Sequence, residues 1–131
     1  MKRVITFGTF DVFHYGHLLL LERAKALGDH LVVGVSSDEL NFRKKGRRPL
    51  YSLEERLAIL SALRVVDRVF IEESLDLKKD YILAEEADIL VMGNDWEGKF
   101  DHLKAYCDVV YLPRTPSIST TEIIEIEQIV L

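Results

Sequence analysis

Five short runs rich in β-branched and aliphatic residues punctuate the chain. They are Arg3–Phe7 (RVITF), Leu31–Ser36 (LVVGVS), Asp67–Ile71 (DRVFI), Asp88–Met92 (DILVM) and Asp108–Leu112 (DVVYL). Most are continuously apolar rather than alternating, the pattern of strands covered on both faces in a parallel sheet. Helical periods lie between them. His17–Leu27 places leucines at 18, 20 and 21 and alanine at 24, with Gly28 following as a natural C′ residue. Ser52–Leu63 opens on Ser52-x-x-Glu55, a capping box, and continues with Leu57, Ile59, Leu60 and Leu63. A shorter helix is predicted over Asp80–Glu86. A last one covers Ser119–Leu131, opened by a second capping box, Ser119-x-x-Glu122. Alternating strands and helices imply βαβ units with right-handed crossovers. The expectation is one α/β domain over residues 1–131, a Rossmann-like doubly wound sheet of five parallel strands. In such sheets ligands sit beyond the carboxyl ends of the strands, near the switch point.

Composition narrows the class. The 131 residues are 48% hydrophobic and 30% charged, ordinary for a globular domain. No apolar run approaches the ~20 residues of a membrane span, and MKRVITFGTFD lacks the apolar core of a signal peptide. Cys107 is the only cysteine, which excludes an internal disulfide and a Cys-based zinc site. A cytoplasmic protein is expected. A net charge of −5 argues against sequence-independent nucleic-acid binding. One stretch runs the other way: Arg43–Arg48 (RKKGRR) has five basic residues in six, with Pro49 next. It reads as an exposed loop between the second strand and second helix, mobile until a polyanion supplies counter-charge. Neither G-x-G-x-x-G, nor G-x-x-x-x-G-K-[ST], nor G-x-S-x-G occurs. Dinucleotide, P-loop and α/β-hydrolase sites of those kinds are therefore unsupported.

The candidate chemistry follows the first strand, in Gly8-Thr9-Phe10-Asp11-Val12-Phe13-His14-Tyr15-Gly16-His17. A helix opening here exposes N–H groups and the positive end of its dipole, and two imidazoles can donate to the oxygens of a phosphate under attack. A lone histidine would be an incidental turn residue. Two, in a glycine frame at a strand-to-helix turn, point to phosphate. A second anion site is suggested by Arg114-Thr115-Pro116-Ser117-Ile118-Ser119-Thr120-Thr121, where hydroxyls open a helix beside a guanidinium. Capping accounts for Ser119 and Glu122, but not for Arg114 or three successive hydroxyls. Asp95 and Trp96 follow the fourth strand, at the ligand edge of the sheet.

The first segment resembles the H-x-G-H signature of a nucleotidyltransferase superfamily, and Arg114–Thr121 resembles the R-T-x-x-I-S-T-T segment of small cytidylyltransferases. Gly93–Asp101, with Asp95-Trp96-Glu97-Gly98-Lys99-Phe100, is similar to a segment of bacterial glycerol-3-phosphate cytidylyltransferases. The resemblance spans Val4 to Thr121. Asn94, where an acidic residue is common, and the basic stretch, about one residue longer, depart from it.

That family joins CTP and glycerol 3-phosphate to give CDP-glycerol and pyrophosphate. The resemblance implies that His14 and His17 hold the α-phosphate and that the Thr9 and Phe10 backbone touches the nucleotide. Asp11, Tyr15, Gly16 and Asp95 fall within the same nucleotide-binding segments. Arg114 and Thr115–Thr121 would hold the leaving pyrophosphate. Lys44, with Lys45 or Arg47, would close over the triphosphate or acceptor. Arg56, Lys78 and Trp96 would meet the acceptor. Mg²⁺ would travel with the triphosphate, and Asp11 would orient a histidine or touch that ion. A homodimer is implied, with apolar Ile123–Leu131 as either core or dimer face. The product would serve teichoic acid or another surface polysaccharide. Alternatives are choline, ethanolamine or another polyol phosphate as acceptor, an ATP-using adenylyltransferase, and a regulator with an inactive site.

Overall fold

The computed structural model describes residues 1–113. Its strands are β1 (Arg3–Gly8), β2 (His30–Ser36), β3 (Arg68–Glu72), β4 (Ile89–Gly93) and β5 (Asp108–Leu112). They form one parallel sheet in the order β3-β2-β1-β4-β5. All five predicted strands are present within two residues of their predicted ends. The chain's direction of winding reverses between β1 and β4, so the switch point lies beyond Gly8 and Gly93.

The continuous apolar runs are explained by what covers them. Val4, Leu31, Val33, Val35, Ile89 and Val91 pack on one face with Leu21, Ala24 and Leu60. Their sequence neighbours Ile5, Phe7, Val32, Leu90 and Met92 pack on the other with Ile82 and Leu103. The helices are α1 (Tyr15–Ala26), α2 (Asp38–Lys45), α3 (Leu53–Ser61) and α4 (Lys78–Ala84). Thus α1 and α3 cover one face and α4 the other. The lower rim is tied by aspartates beside the strand starts. Asp29 accepts the Lys2 N–H, Asp67 the Leu31 N–H and Asp88 the Arg3 N–H, each at 2.8 Å.

Several predicted boundaries need correction. Helix α1 begins two residues early, because His14 rather than a serine or aspartate caps it. Helix α4 starts at Lys78, not Asp80. The Ser52–Glu55 capping box is present in both directions. Arg43–Lys45 is not loop. It is the last turn of α2, capped at Ser37, whose Oγ accepts the Leu40 N–H, and ended by Gly46 at φ +73°. Acidic Asp38 and Glu39 open this helix and the three basic residues close it, matching its dipole. With Leu40 its only buried apolar residue, it carries almost no hydrophobic period. Gly28 also has a different reason for being glycine. It follows the helix without the left-handed φ of a C′ cap, and a Cβ there would sit 2.7 Å from the Lys2 carbonyl oxygen. The predicted final helix, its capping box and the segment Ile123–Leu131 lie outside the described residues.

Candidate active site at the switch point

The turn after β1 is built under strain. Phe10 and Val12 have φ of +53° and +46°, which a β-branched side chain rarely accepts. Asp11 holds the turn in place. Its carboxylate accepts the N–H groups of Val12, Leu50 and Tyr51 at 3.0, 2.7 and 2.8 Å. Asp11 therefore staples the approach to α3 onto the β1 turn. Among the described residues no group of three or more His, Cys, Asp or Glu side chains is placed to hold a metal ion.

The turn delivers the two histidines to the start of α1. His14 is the N-cap and its Nδ1 accepts the Gly16 N–H at 3.0 Å. His17, one turn on, accepts the His14 N–H on its own Nδ1 at 3.2 Å. The rings stack at 3.9 Å between centroids. This is a capping box made of imidazoles. Because each Nδ1 must present a lone pair, each neutral ring carries its proton on Nε2. His17 also packs edge-on to Phe10. Burial first, and the neighbouring His14 second, lower its pKa to about 4, against an opposing pull from Asp11. At neutral pH His17 is an uncharged donor at a helix N-terminus.

Arg56 organises the surroundings. It is 1% exposed, and its guanidinium donates to the carbonyls of Tyr51, Thr9 and Ser36 and to Asp38 Oδ1 at 2.7–3.1 Å. The sequence reading placed it at the acceptor. The structure turns it inward, where it ties the β1 turn, the end of β2, α2 and the approach to α3 together. Thr9 is also held by its side chain, which donates to Asn41 Oδ1 at 2.8 Å.

The cations predicted from RKKGRR divide between two neighbourhoods. Lys44 Nζ lies 3.5 Å from Ser36 Oγ. Its pKa is lowered by partial desolvation foremost; Glu72 opposes this, while Lys45, Lys78 and Arg56 add to it. Lys45 is lowered by partial desolvation and then Arg47, with Asp11 opposing, which places it toward the β1 turn. Arg43 donates to the Glu73 carbonyl at 3.0 Å, so the stretch does have partners within the fold. Lys78, expected at the acceptor, is buried against Glu72. Asp95 and Trp96 form a short 3-10 turn at the end of β4, with Trp96 42% exposed. Tyr15 is exposed at the first position of α1. Arg114, Thr115, Pro116, Ser117, Ile118, Ser119, Thr120 and Thr121 lie outside the described residues. Sequence reasoning missed Ser36, Asn41 and Glu72. A buried polar residue at a strand end, as Ser36 and Glu72 are, or within a short helix, as Asn41 is, carries no periodic signal, and only the convergence of β2, β3 and α2 shows what these three do.

A parallel 3-2-1-4-5 sheet with paired histidine donors at its switch point defines a nucleotide-phosphate-handling α/β enzyme. The chain belongs to the cytidylyltransferase-like family, whose model matches residues 5–126. It is 55% identical over 125 residues to a glycerol-3-phosphate cytidylyltransferase of Bacillus subtilis, covering 95% of this chain and 96% of that one. It is 53% identical to the enzyme of the same name from Bacillus spizizenii, over 94% and 95% of the two chains. Among solved structures it resembles a lipopolysaccharide core biosynthesis protein of Thermoplasma volcanium. That likeness has a TM-score of 0.75 at 31% identity and covers 88% of this chain and 98% of the other.

Proposed function

We propose that the chain transfers CMP from CTP to glycerol 3-phosphate, releasing pyrophosphate. The observation that carries the chemistry is the reciprocal histidine cap, which sets two stacked imidazoles at a helix N-terminus beside the switch point. The choice of substrates follows from the near full-length likeness to glycerol-3-phosphate cytidylyltransferases. An acceptor phosphate oxygen attacks the α-phosphorus in line. The bond from that phosphorus to the bridging oxygen of the β-phosphate breaks, and pyrophosphate leaves with the electron pair. The nucleophile is ionised near neutral pH, so the site needs positioning and charge stabilisation rather than a strong base. His14 and His17 Nε2–H donate to the α-phosphate as charge develops, with the Thr9–Phe10 backbone alongside. Lys45 and Arg47 face the triphosphate, Arg114 and Ser119–Thr121 hold its leaving end, and Lys44, Lys78 and Trp96 lie toward the acceptor. Arg56 positions this frame without touching substrate.

Mg²⁺ bound with CTP would neutralise triphosphate charge. With Asp11 committed to three backbone N–H groups, that ion would be carried by phosphate oxygens and water. The compartment proposed is the cytoplasm, where a lone thiol such as Cys107 stays reduced; among the described residues no helix is long and apolar enough to cross a membrane.

Pyrophosphate release tests the reading, with each of the four NTPs against glycerol 3-phosphate and then CTP against choline and ethanolamine phosphates. CTP with glycerol 3-phosphate should exceed every other pair by at least ~10-fold, about 1.4 kcal/mol of discrimination. Equal or faster turnover with ATP makes the protein an adenylyltransferase. Absence of turnover with any pair makes it a nucleotide-binding regulator.

A further inference from the structure

Four elements converge beyond the carboxyl ends of β2 and β3. Glu72, the last residue of β3, is 1% exposed. Its Oε2 accepts from Lys78 Nζ, at the start of α4, at 2.6 Å. Its Oε1 lies 3.4 Å from Ser36 Oγ at the end of β2, and Lys44 Nζ of α2 approaches that same hydroxyl at 3.5 Å. Lys78 Nζ also stands 4.6 Å from the centre of the Phe7 ring and 5.4 Å from that of Phe100. Phe100 belongs to the loop after β4, and its ring lies 5.6 Å from that of Trp96. One carboxylate and two ammonium groups thus share a neighbourhood with the loop proposed to face the acceptor.

Stability alone is a weak reason for this arrangement. Removing Glu72 and Lys78 from water carries a desolvation cost that their attraction offsets only in part, and a well-packed apolar pair serves a core as well or better. What the ion pair does supply is preorganisation. A lysine is a point charge on a flexible four-carbon stem with ~2 kcal/mol of rotamer entropy. Between Glu72 and two aromatic faces, the Lys78 stem has lost that freedom before any ligand arrives.

We propose that Glu72 is a positioning residue for the acceptor: it fixes Lys78 directly and Lys44 through Ser36, presetting the two ammonium groups as a joint seat for a phosphate monoester dianion. The three groups sum to +1, so the dianion meets net positive charge while neither lysine depends on it for a counter-ion. Glu72 also opposes the fall in the Lys44 pKa, which favours the charged form that such a seat requires. The identity of the acceptor rests on the function proposed above.

The test is steady-state kinetics, varying glycerol 3-phosphate at saturating CTP and the reverse. The proteins are wild type, Glu72→Gln, Glu72→Asp, Lys78→Met and the Glu72→Gln/Lys78→Met double variant. Glu72→Gln should raise the acceptor KM at least ~10-fold, since one member of a buried charge pair has been removed, and leave the CTP KM within ~2-fold. Glu72→Asp, which keeps the charge, should recover part of the loss. In the Lys78→Met background, Glu72→Gln should add less than ~3-fold, because only its weaker hold on Lys44 through Ser36 remains. An unchanged acceptor KM, an equal rise in both KM values, or an undiminished effect in the Lys78→Met background overturns the proposal. If Glu72→Gln does not fold, Glu72→Asp against wild type decides it: the charge is kept but moved, so the acceptor KM should rise while the CTP KM stays within ~2-fold, and an unchanged acceptor KM overturns the proposal. Wild-type inactivity on glycerol 3-phosphate overturns the functional reading and this proposal with it; wild-type activity with no acceptor effect overturns this proposal alone.

Discussion

His14 and His17 were legible as a pair from their spacing, but their protonation was not. Their chemistry depends on which ring nitrogen the backbone occupies, and that is a property of the strained turn at Phe10 and Val12. With Nδ1 accepting in both rings, His14→Ala and His17→Ala should each lower kcat by at least ~100-fold, the scale of losing a donor aimed at developing charge. Near-normal kcat in either folded variant would exclude the proposed role. The lowered His17 pKa makes a second prediction. Unfolded His17 takes up a proton below pH ~6.5, whereas the folded side chain does so only near 4. The unfolded state therefore binds more protons across that window, and stability is lost as pH falls from 6.5 toward 4, by up to ~3 kcal/mol from this group. Urea unfolding of wild type and His17→Gln at pH 7.5 and 4.5 measures it. The wild type should lose more stability between the two pH values than the variant does, and equal losses would contradict a buried neutral His17. Arg56 shows the opposite relation between sequence and structure. The family resemblance placed it at the acceptor, and nothing along the helix contradicted that. Only the tertiary fold brings three backbone carbonyls and Asp38 around its guanidinium.

At the scale of elements, the strands could be read because each is covered on both faces, which leaves an unbroken apolar run in the sequence. Helix α2 could not, since one buried leucine makes no period and its stability comes from Ser37, opposed terminal charges and Gly46. The two glycines that end α1 and α2 separate two physical causes. Gly46 has a left-handed φ but open space around it, while Gly28 has ordinary φ and no room for a Cβ. Gly46→Ala should cost ~1–2 kcal/mol, the usual penalty of left-handed backbone for an L-residue. Gly28→Ala should cost more, because the atom it meets is backbone and β1 has to shift. Urea denaturation of both variants gives the comparison, and a smaller cost at Gly28 would show that the β1–α1 junction yields easily.

For the whole molecule, we propose a homodimer. Six large aliphatic residues between Ile123 and Leu131 exceed what one buried helix stripe needs, and a two-fold pair presents such a patch to itself. Sedimentation equilibrium at micromolar concentration should give twice the 15.1 kDa chain mass, and a single species at the chain mass would refute it. The sheet's class and the location of its ligand edge were determined by sequence alone, because parallel pairing under two helical layers imposes local apolar runs and the H-x-G-H turn carries its chemistry in contiguous residues. The strand order, the inward turn of Arg56 and the meeting of Glu72, Ser36, Lys44 and Lys78 were decided only by tertiary structure. Each depends on residues far apart in the chain, and a buried polar partner is specified by what lies across from it rather than by any pattern along the chain.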